Sequence, residues 1–121
     1  MELNDDAHDI RRGFVYLLPP LGYLEFLQLM SKSTAVLTDS GGIQEETTFL
    51  GIPCLTLRDN TERPVTVELG TNEIVGLDGH KILACLHSIL KGEWKQASVP
   101  LLWDGRAAER VLDVLRKAYG L

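Results

Sequence analysis

The stretch that most limits what this chain can fold into is Thr38-Asp39-Ser40-Gly41-Gly42-Ile43-Gln44-Glu45-Glu46. Ahead of it runs Ala35-Val36-Leu37, apolar enough for a buried strand; within and beyond it, Ile43, Thr47 and Leu50 recur at helical spacing. A strand that passes through a glycine pair into a helix is the repeating unit of a parallel α/β sheet, and the junction is an anion site. The first backbone N–H groups of the helix lack partners inside it, and the helix dipole adds partial positive charge there. Gly41 and Gly42 are expected to open backbone conformations closed to other residues and to let a ligand approach without meeting a Cβ. Ser40 adds a hydroxyl at the same end. Glu46 lies about one turn further in, beyond a bound phosphate and within reach of an adjoining sugar. The layout fits a nucleoside diphosphate, diphosphate on the loop and ribose hydroxyls on the carboxylate. Taken alone, the stretch reads more simply as an ordinary N-cap and turn, so its context has to decide.

That context is a repeated alternation. Gly51-Ile52-Pro53 ends the helix and Cys54-Leu55-Thr56-Leu57 reads as the next strand, followed by the polar loop Arg58-Asp59-Asn60-Thr61-Glu62-Arg63-Pro64. Pro64 suits the first turn of a helix running to about Leu69. Asn72–Val75 reads as a strand. Asp78 is placed to cap a helix striped by Ile82, Leu86, Ile89 and Leu90. An irregular connection begins at Gly92, with Trp94 as a packing anchor. Asp104 is placed to cap a last helix whose Ala108, Val111, Leu112, Leu115 and Tyr119 share a face. Upstream, Phe14–Leu18 reads as a strand stopped by Pro19-Pro20, and Tyr23, Leu24, Phe26, Leu27 and Met30 mark a helix. Residues 1–12 are polar and acidic without an apolar period and are expected to be poorly ordered. The sum is one α/β domain over residues 1–121, a Rossmann-like parallel sheet with flanking helices on both faces.

Charge and chemistry narrow the function. A net charge of −5 argues against a nonspecific nucleic-acid or anionic-membrane surface, while phosphate binding needs only local donors. No apolar run is long enough to cross a bilayer and Met1–Asp6 is not a signal peptide, so a cytoplasmic location is expected. Cys54 and Cys85 sit in separate apolar runs and read as reduced core residues. No paired-ligand spacing points to a metal, and no cofactor is expected. His8, His80 and His87 belong to no acid–base arrangement and read as solvated or packed. Arg63, following a strand at the sheet edge where ligands bind in doubly wound folds, is the cation best placed for a diphosphate; a surface pair with Glu62 or Asp59 is the alternative. Arg58 reads as structural, a possible brace for its loop. Adjacent helix residues point about 100° apart, so Glu45 and Glu46 cannot serve one ligand equally; Glu45 falls to solvent or to the helix dipole.

Thr38–Glu46, Gly51-Ile52-Pro53, Arg58–Pro64 and Glu68-Leu69-Gly70-Thr71, with Pro20–Phe26 upstream and Trp103–Arg110 downstream, together resemble the UDP-N-acetylglucosamine 2-epimerase family. The resemblance spans nearly the whole chain from about Gly13. It implies the C-terminal, UDP-binding half of a glycosyltransferase-B-like two-domain fold, a missing N-terminal domain, and a chain that begins after the first strand or two of its own domain. An incomplete sheet would leave an unpaired strand edge and apolar helix faces, so either a homo-oligomer in which a neighbour covers that edge or a marginally stable fragment is expected. The resemblance assigns Ser40, Gly41, Gly42 and Arg63 to the diphosphate, Glu46 to the ribose, and Leu21 (backbone) with Phe26 to the uracil. Phe26 as simple core is the competing expectation. Such enzymes interconvert UDP-N-acetylglucosamine and UDP-N-acetylmannosamine by eliminating UDP and adding it back. The proton-moving groups come from the other half and the inter-domain region, so no catalytic residue is expected here and the chain alone should not turn over. A hydrolysing 2-epimerase, a UDP-sugar-dependent glycosyltransferase and a non-catalytic binding module remain alternatives.

Overall fold

The computed structural model describes residues 15–121; the expected poor order of residues 1–12, the reading of His8 and the start of the Phe14–Leu18 run fall outside them. In chain order the elements are α1 (Tyr23–Ser31), β1 (Val36–Thr38), α2 (Gly41–Leu50), β2 (Cys54–Thr56), α3 (Pro64–Glu68), β3 (Asn72–Ile74), α4 (Gly79–Leu90) and α5 (Ala107–Tyr119). The three strands form one parallel sheet in the order β1-β2-β3. β2 is central and all three of its residues are buried, as expected of a parallel strand covered on both sides.

Register divides the sheet into two unlike faces. Leu37, Leu55 and Glu73 are partners across the strands, and so are Val36, Cys54 and Asn72, one position earlier. Because successive side chains in a strand point to opposite faces, the first set looks one way and the second the other. Leu55 packs with Val75 and with Ile89 of α4, joined by partly buried Ile82, Cys85, Leu86 and Trp94. The opposite face meets α2 and α3 through polar groups: Gln44, Thr47, Thr56, Thr66 and Asn72 are each 0% exposed.

Helix boundaries follow local chemistry. Gly22 precedes α1, and its N–H donates to Glu25 Oε2 at 3.3 Å. Gly51 closes α2 in the left-handed region at φ 73°, where a Cβ would be strained. Pro64 takes the first position of α3, and Asp78 caps α4 by accepting from the N–H groups of His80 and Lys81. Trp94 anchors the following connection by donating from Nε1 to Thr71 O at 2.9 Å.

Three expectations need correcting. Residues 15–18 form no strand and lie exposed: an apolar run becomes a strand only against a partner, and among the described residues β1 pairs only with β2. Leu90 leaves the apolar stripe of α4 and is 71% exposed, being rotated about 100° from buried Ile89. Asp104 is not the cap of α5. That position belongs to Arg106, whose N–H donates to Asp104 Oδ1 at 3.0 Å, while Arg110 pairs with the same carboxylate; the Arg110 guanidinium holds the Asp104 carboxyl below its ordinary range, helped by that N–H. The shared apolar face of α5 is left largely open among the described residues: no residue of the helix is buried.

Candidate functional site

The site is built where β1 hands over to α2. Ser40 occupies the N-cap position in an extended conformation, yet its side chain makes no capping hydrogen bond. The ordinary N-cap role therefore does not consume its hydroxyl. Gly41 and Gly42 open the helix, and neither has a positive φ, so the expected need for unusual backbone conformations is overturned. Their use is space. A Cβ at Gly42 would meet nothing within 4 Å, and one at Gly41 would lie 3.7 Å from Glu62 Oε2. A side chain would thus point to open space at Gly42 and to the Arg58–Arg63 loop at Gly41.

That loop brings charges of both signs. Glu62 is gripped by Arg58, whose Nη2 donates to Oε1 at 2.9 Å and Nη1 to Oε2 at 3.3 Å, and Arg58 also bonds Asn60. Arg58 is the brace that the sequence allowed. Glu62's own backbone N–H and then the Arg58 guanidinium hold its carboxyl below the ordinary value. The nearby negative charge is thereby offset by a fixed positive one. Arg63 pairs with neither Glu62 nor Asp59 through their carboxylates. Its Nε meets Glu45 Oε1 at 2.6 Å, and Nη1 reaches Glu62 O at 3.4 Å. Glu45, assigned to solvent or the helix dipole, is instead the group that holds the candidate cation.

Glu46 faces elsewhere, as its rotation from Glu45 requires. Tyr23 donates its hydroxyl to Glu46 Oε1 at 3.0 Å, and this bond, with the carboxylate's charge, raises the tyrosine's pKa. Both glutamates border a cleft of about 500 Å³ walled by Tyr23, Leu27, Phe49, Leu50 and Trp103. Phe26 is half-buried and lines a separate hollow with Met30, Val36, Thr38 and Ile43 beneath the helix start. Leu21 is half-buried just before α1. The structure thus gathers Ser40, Gly41, Gly42, Glu45 and Arg63 around one helix start. Glu46 and Phe26 flank it on different sides.

Two features were not legible in the sequence. One is Tyr23 as the partner of Glu46, 23 residues away. The other is a buried polar cluster under the site: Asn72 accepts from Thr56 and donates to Gln44 and Thr66, and Gln44 accepts from Thr61. A glutamine in the first turns of a helix otherwise marks an exposed position, so nothing local gave it away. His80 and His87 are exposed on α4, across the sheet from α2. Among the described residues no group of acidic, histidine and cysteine side chains is arranged to hold a metal, and no helix is long and apolar enough to cross a membrane.

Comparison with known proteins places these residues in a wider setting. A sequence model described as UDP-N-acetylglucosamine 2-epimerase matches residues 2–116. The chain is 44% identical over 103 residues to the UDP-N-acetylglucosamine 2-epimerase of Methanocaldococcus jannaschii, covering 84% of this chain and 27% of that protein. It is 40% identical over 103 residues to the UDP-2,3-diacetamido-2,3-dideoxy-D-glucuronate 2-epimerase of Pseudomonas aeruginosa, covering 85% of this chain and 29% of that protein. It superposes on the crystal structure of the M. jannaschii UDP-GlcNAc 2-epimerase in complex with UDP-GlcNAc and UDP with a TM-score of 0.72 and 40% identity, over 93% of this chain and 30% of that one. The chain therefore spans under a third of the length of the relatives it matches.

Proposed function

Because the chain belongs to the UDP-N-acetylglucosamine 2-epimerase family, with the glycosyltransferase-B-like fold of its solved members, we propose that it is the UDP-holding part of an enzyme interconverting UDP-N-acetylglucosamine and UDP-N-acetylmannosamine. The first amides of α2 and the Ser40 hydroxyl receive the diphosphate, and Arg63 adds a charge-assisted donor. Glu46, oriented by Tyr23, takes the ribose hydroxyls. Leu21 and Phe26 lie toward the uracil. Negative charge grows on the diphosphate as UDP departs, so a preorganised grip on it lowers the barrier as well as retaining the leaving group. The proton-moving groups are supplied from outside these residues, and the chain alone does not turn over. The observation that carries this reading is the unspent start of α2: an N-cap serine with no capping bond, an unobstructed Gly42, and a cation held by the same helix.

Relatives acting on different sugars share this portion of chain, which supports recognition here of the nucleotide and not of the sugar. The same proposal makes residues 1–121 one UDP-binding C-terminal domain. It also makes the protein a homo-oligomer, supported by apolar Val111, Leu112 and Leu115 exposed along α5, and cytoplasmic, supported by two free cysteines. Calorimetric titration with UDP tests the core of it. Measurable heat is expected, with affinity falling roughly tenfold or more in Arg63→Ala, as for loss of a charge-assisted bond. Absence of both heat and thermal shift in the parent chain would refute it, and conversion of the UDP-sugar by the purified chain would refute the claim of no turnover.

A further inference from the structure

Arg63 is the exposed end of a hydrogen-bond chain rooted in the buried polar cluster. Its N–H donates to Thr61 Oγ1 at 2.9 Å, and its carbonyl accepts from Thr66 Oγ1 at 2.7 Å. Neither hydroxyl is independent. Thr61 passes its own proton to Gln44 Oε1 at 2.6 Å, and Thr66 receives Asn72 Nδ2 at 3.0 Å. The two arms join where Asn72 Nδ2 also donates to Gln44 Oε1 at 3.0 Å, and Thr56 fixes the asparagine by donating to Oδ1 at 2.5 Å. Each hydroxyl has one proton, so the direction of every bond is determined: Gln44 must present its oxygen, and Asn72 its oxygen to Thr56 and its nitrogen to the others. Gln44, Asn72, Thr56 and Thr66 are each 0% exposed, where water cannot substitute for a lost partner.

We infer that Gln44 and Asn72 are positioning residues for Arg63, fixing both of its backbone groups through Thr61 and Thr66 so that the guanidinium is presented at the start of α2. The inference rests on the assignment of Arg63 to the diphosphate. Gln44 and Glu45 then restrain different parts of that arginine, the first its backbone and the second its Nε. The root of the clamp lies in the helix whose amides receive the same anion, so cation and amides keep a fixed spacing. Long side chains lose rotamer freedom when they bind, and a backbone already fixed leaves less to order.

The test uses the whole chain and two independent readouts. Hydrogen exchange at the Arg63 amide reports the clamp, and calorimetry with UDP reports its use. In Thr61→Val, which keeps the volume and removes the hydroxyl, Arg63 protection is expected to be lost and UDP affinity to fall roughly five- to tenfold. Thr61→Ser is expected to restore both. In an Arg63→Ala background Thr61→Val should cost no further affinity, which a merely structural threonine would not reproduce. Thr66→Val removes the hydroxyl bond to the Arg63 carbonyl, which keeps its bond from the Thr66 N–H. It should lower UDP affinity by a smaller factor and cost nothing further in the Arg63→Ala background. An equal loss from Thr66→Val with and without Arg63 would overturn the inference should Thr61→Val not fold. Equal exchange at Arg63 in parent and Thr61→Val overturns the inference, as does an equal loss of affinity with and without Arg63. Loss of protection in Thr61→Val with no UDP heat in the parent chain overturns instead the nucleotide reading, and with it any binding role for the clamp.

Discussion

The two faces of the sheet solve the same burial problem by opposite means. Toward α4, Leu55, Val75 and Ile89 exclude water with hydrocarbon, a non-directional force that tolerates repacking. Toward α2 and α3, the space is filled by Gln44, Thr47, Thr56, Thr66 and Asn72, whose bonds are directional; the Gln44 amide nitrogen alone of these finds no partner among the described residues. The apolar face holds the sheet together. The polar face also sets where the Arg58–Arg63 loop stands relative to α2, and Gly70 tightens it: a Cβ there would collide with Thr48 Oγ1 and lie 2.5 Å from Thr66 O. A core meant only for stability gains little from amides and hydroxyls, since a well-packed apolar interior does as well. Its polar half is understood as positioning.

Substitutions of matched kind can break that contrast. The largest effect is expected for Leu55→Ala, where a side chain 0% exposed leaves a cavity; urea unfolding should show a loss of about 3 kcal/mol, with UDP affinity per folded molecule unchanged. An affinity loss matching that of the polar-face variants would erase the distinction. Next come volume-conserving changes on each face. Thr56→Val leaves Asn72 Oδ1 buried without its donor at 2.5 Å and should cost about 2 kcal/mol, whereas Leu55→Met should cost about 1 kcal/mol. The reverse order, measured the same way, would show the polar bonds to be incidental. The smallest effect is expected for Leu112→Ser on α5, 51% exposed, at roughly 0.5 kcal/mol or less in the monomer. A larger, concentration-dependent loss would show that this face is buried against another copy in solution.

How much of this could be read in advance differs by element. The strand–helix alternation from Val36 to Leu90 was legible because apolar period, Gly51, Pro64 and Asp78 all act locally, each through its own backbone neighbours. Residues 15–18 look like a strand in sequence and are not one, because a strand is defined by its partner and not by its own composition. The glycine pair stands where its spacing put it, but for a different reason: its value is the missing Cβ, since neither residue uses a positive φ. Arg63 is recognisable as a cation from its place in the loop, but its partner is no sequence neighbour, since Glu45 reaches it from the preceding helix.

By itself, then, the sequence determined the family and the alternating architecture, and it marked Ser40, Gly41 and Gly42 at the start of α2. Those follow from spacing and from linked motifs, which are properties of a chain read in one dimension. Tertiary structure alone decided that three consecutive residues of α2 serve three directions: Gln44 inward to Thr61 and Asn72, Glu45 to Arg63, and Glu46 to Tyr23. Helical rotation separates their side chains by about 100° each, but which group waits in each direction depends on how the loop after β2 and the helix before β1 pack against the same element.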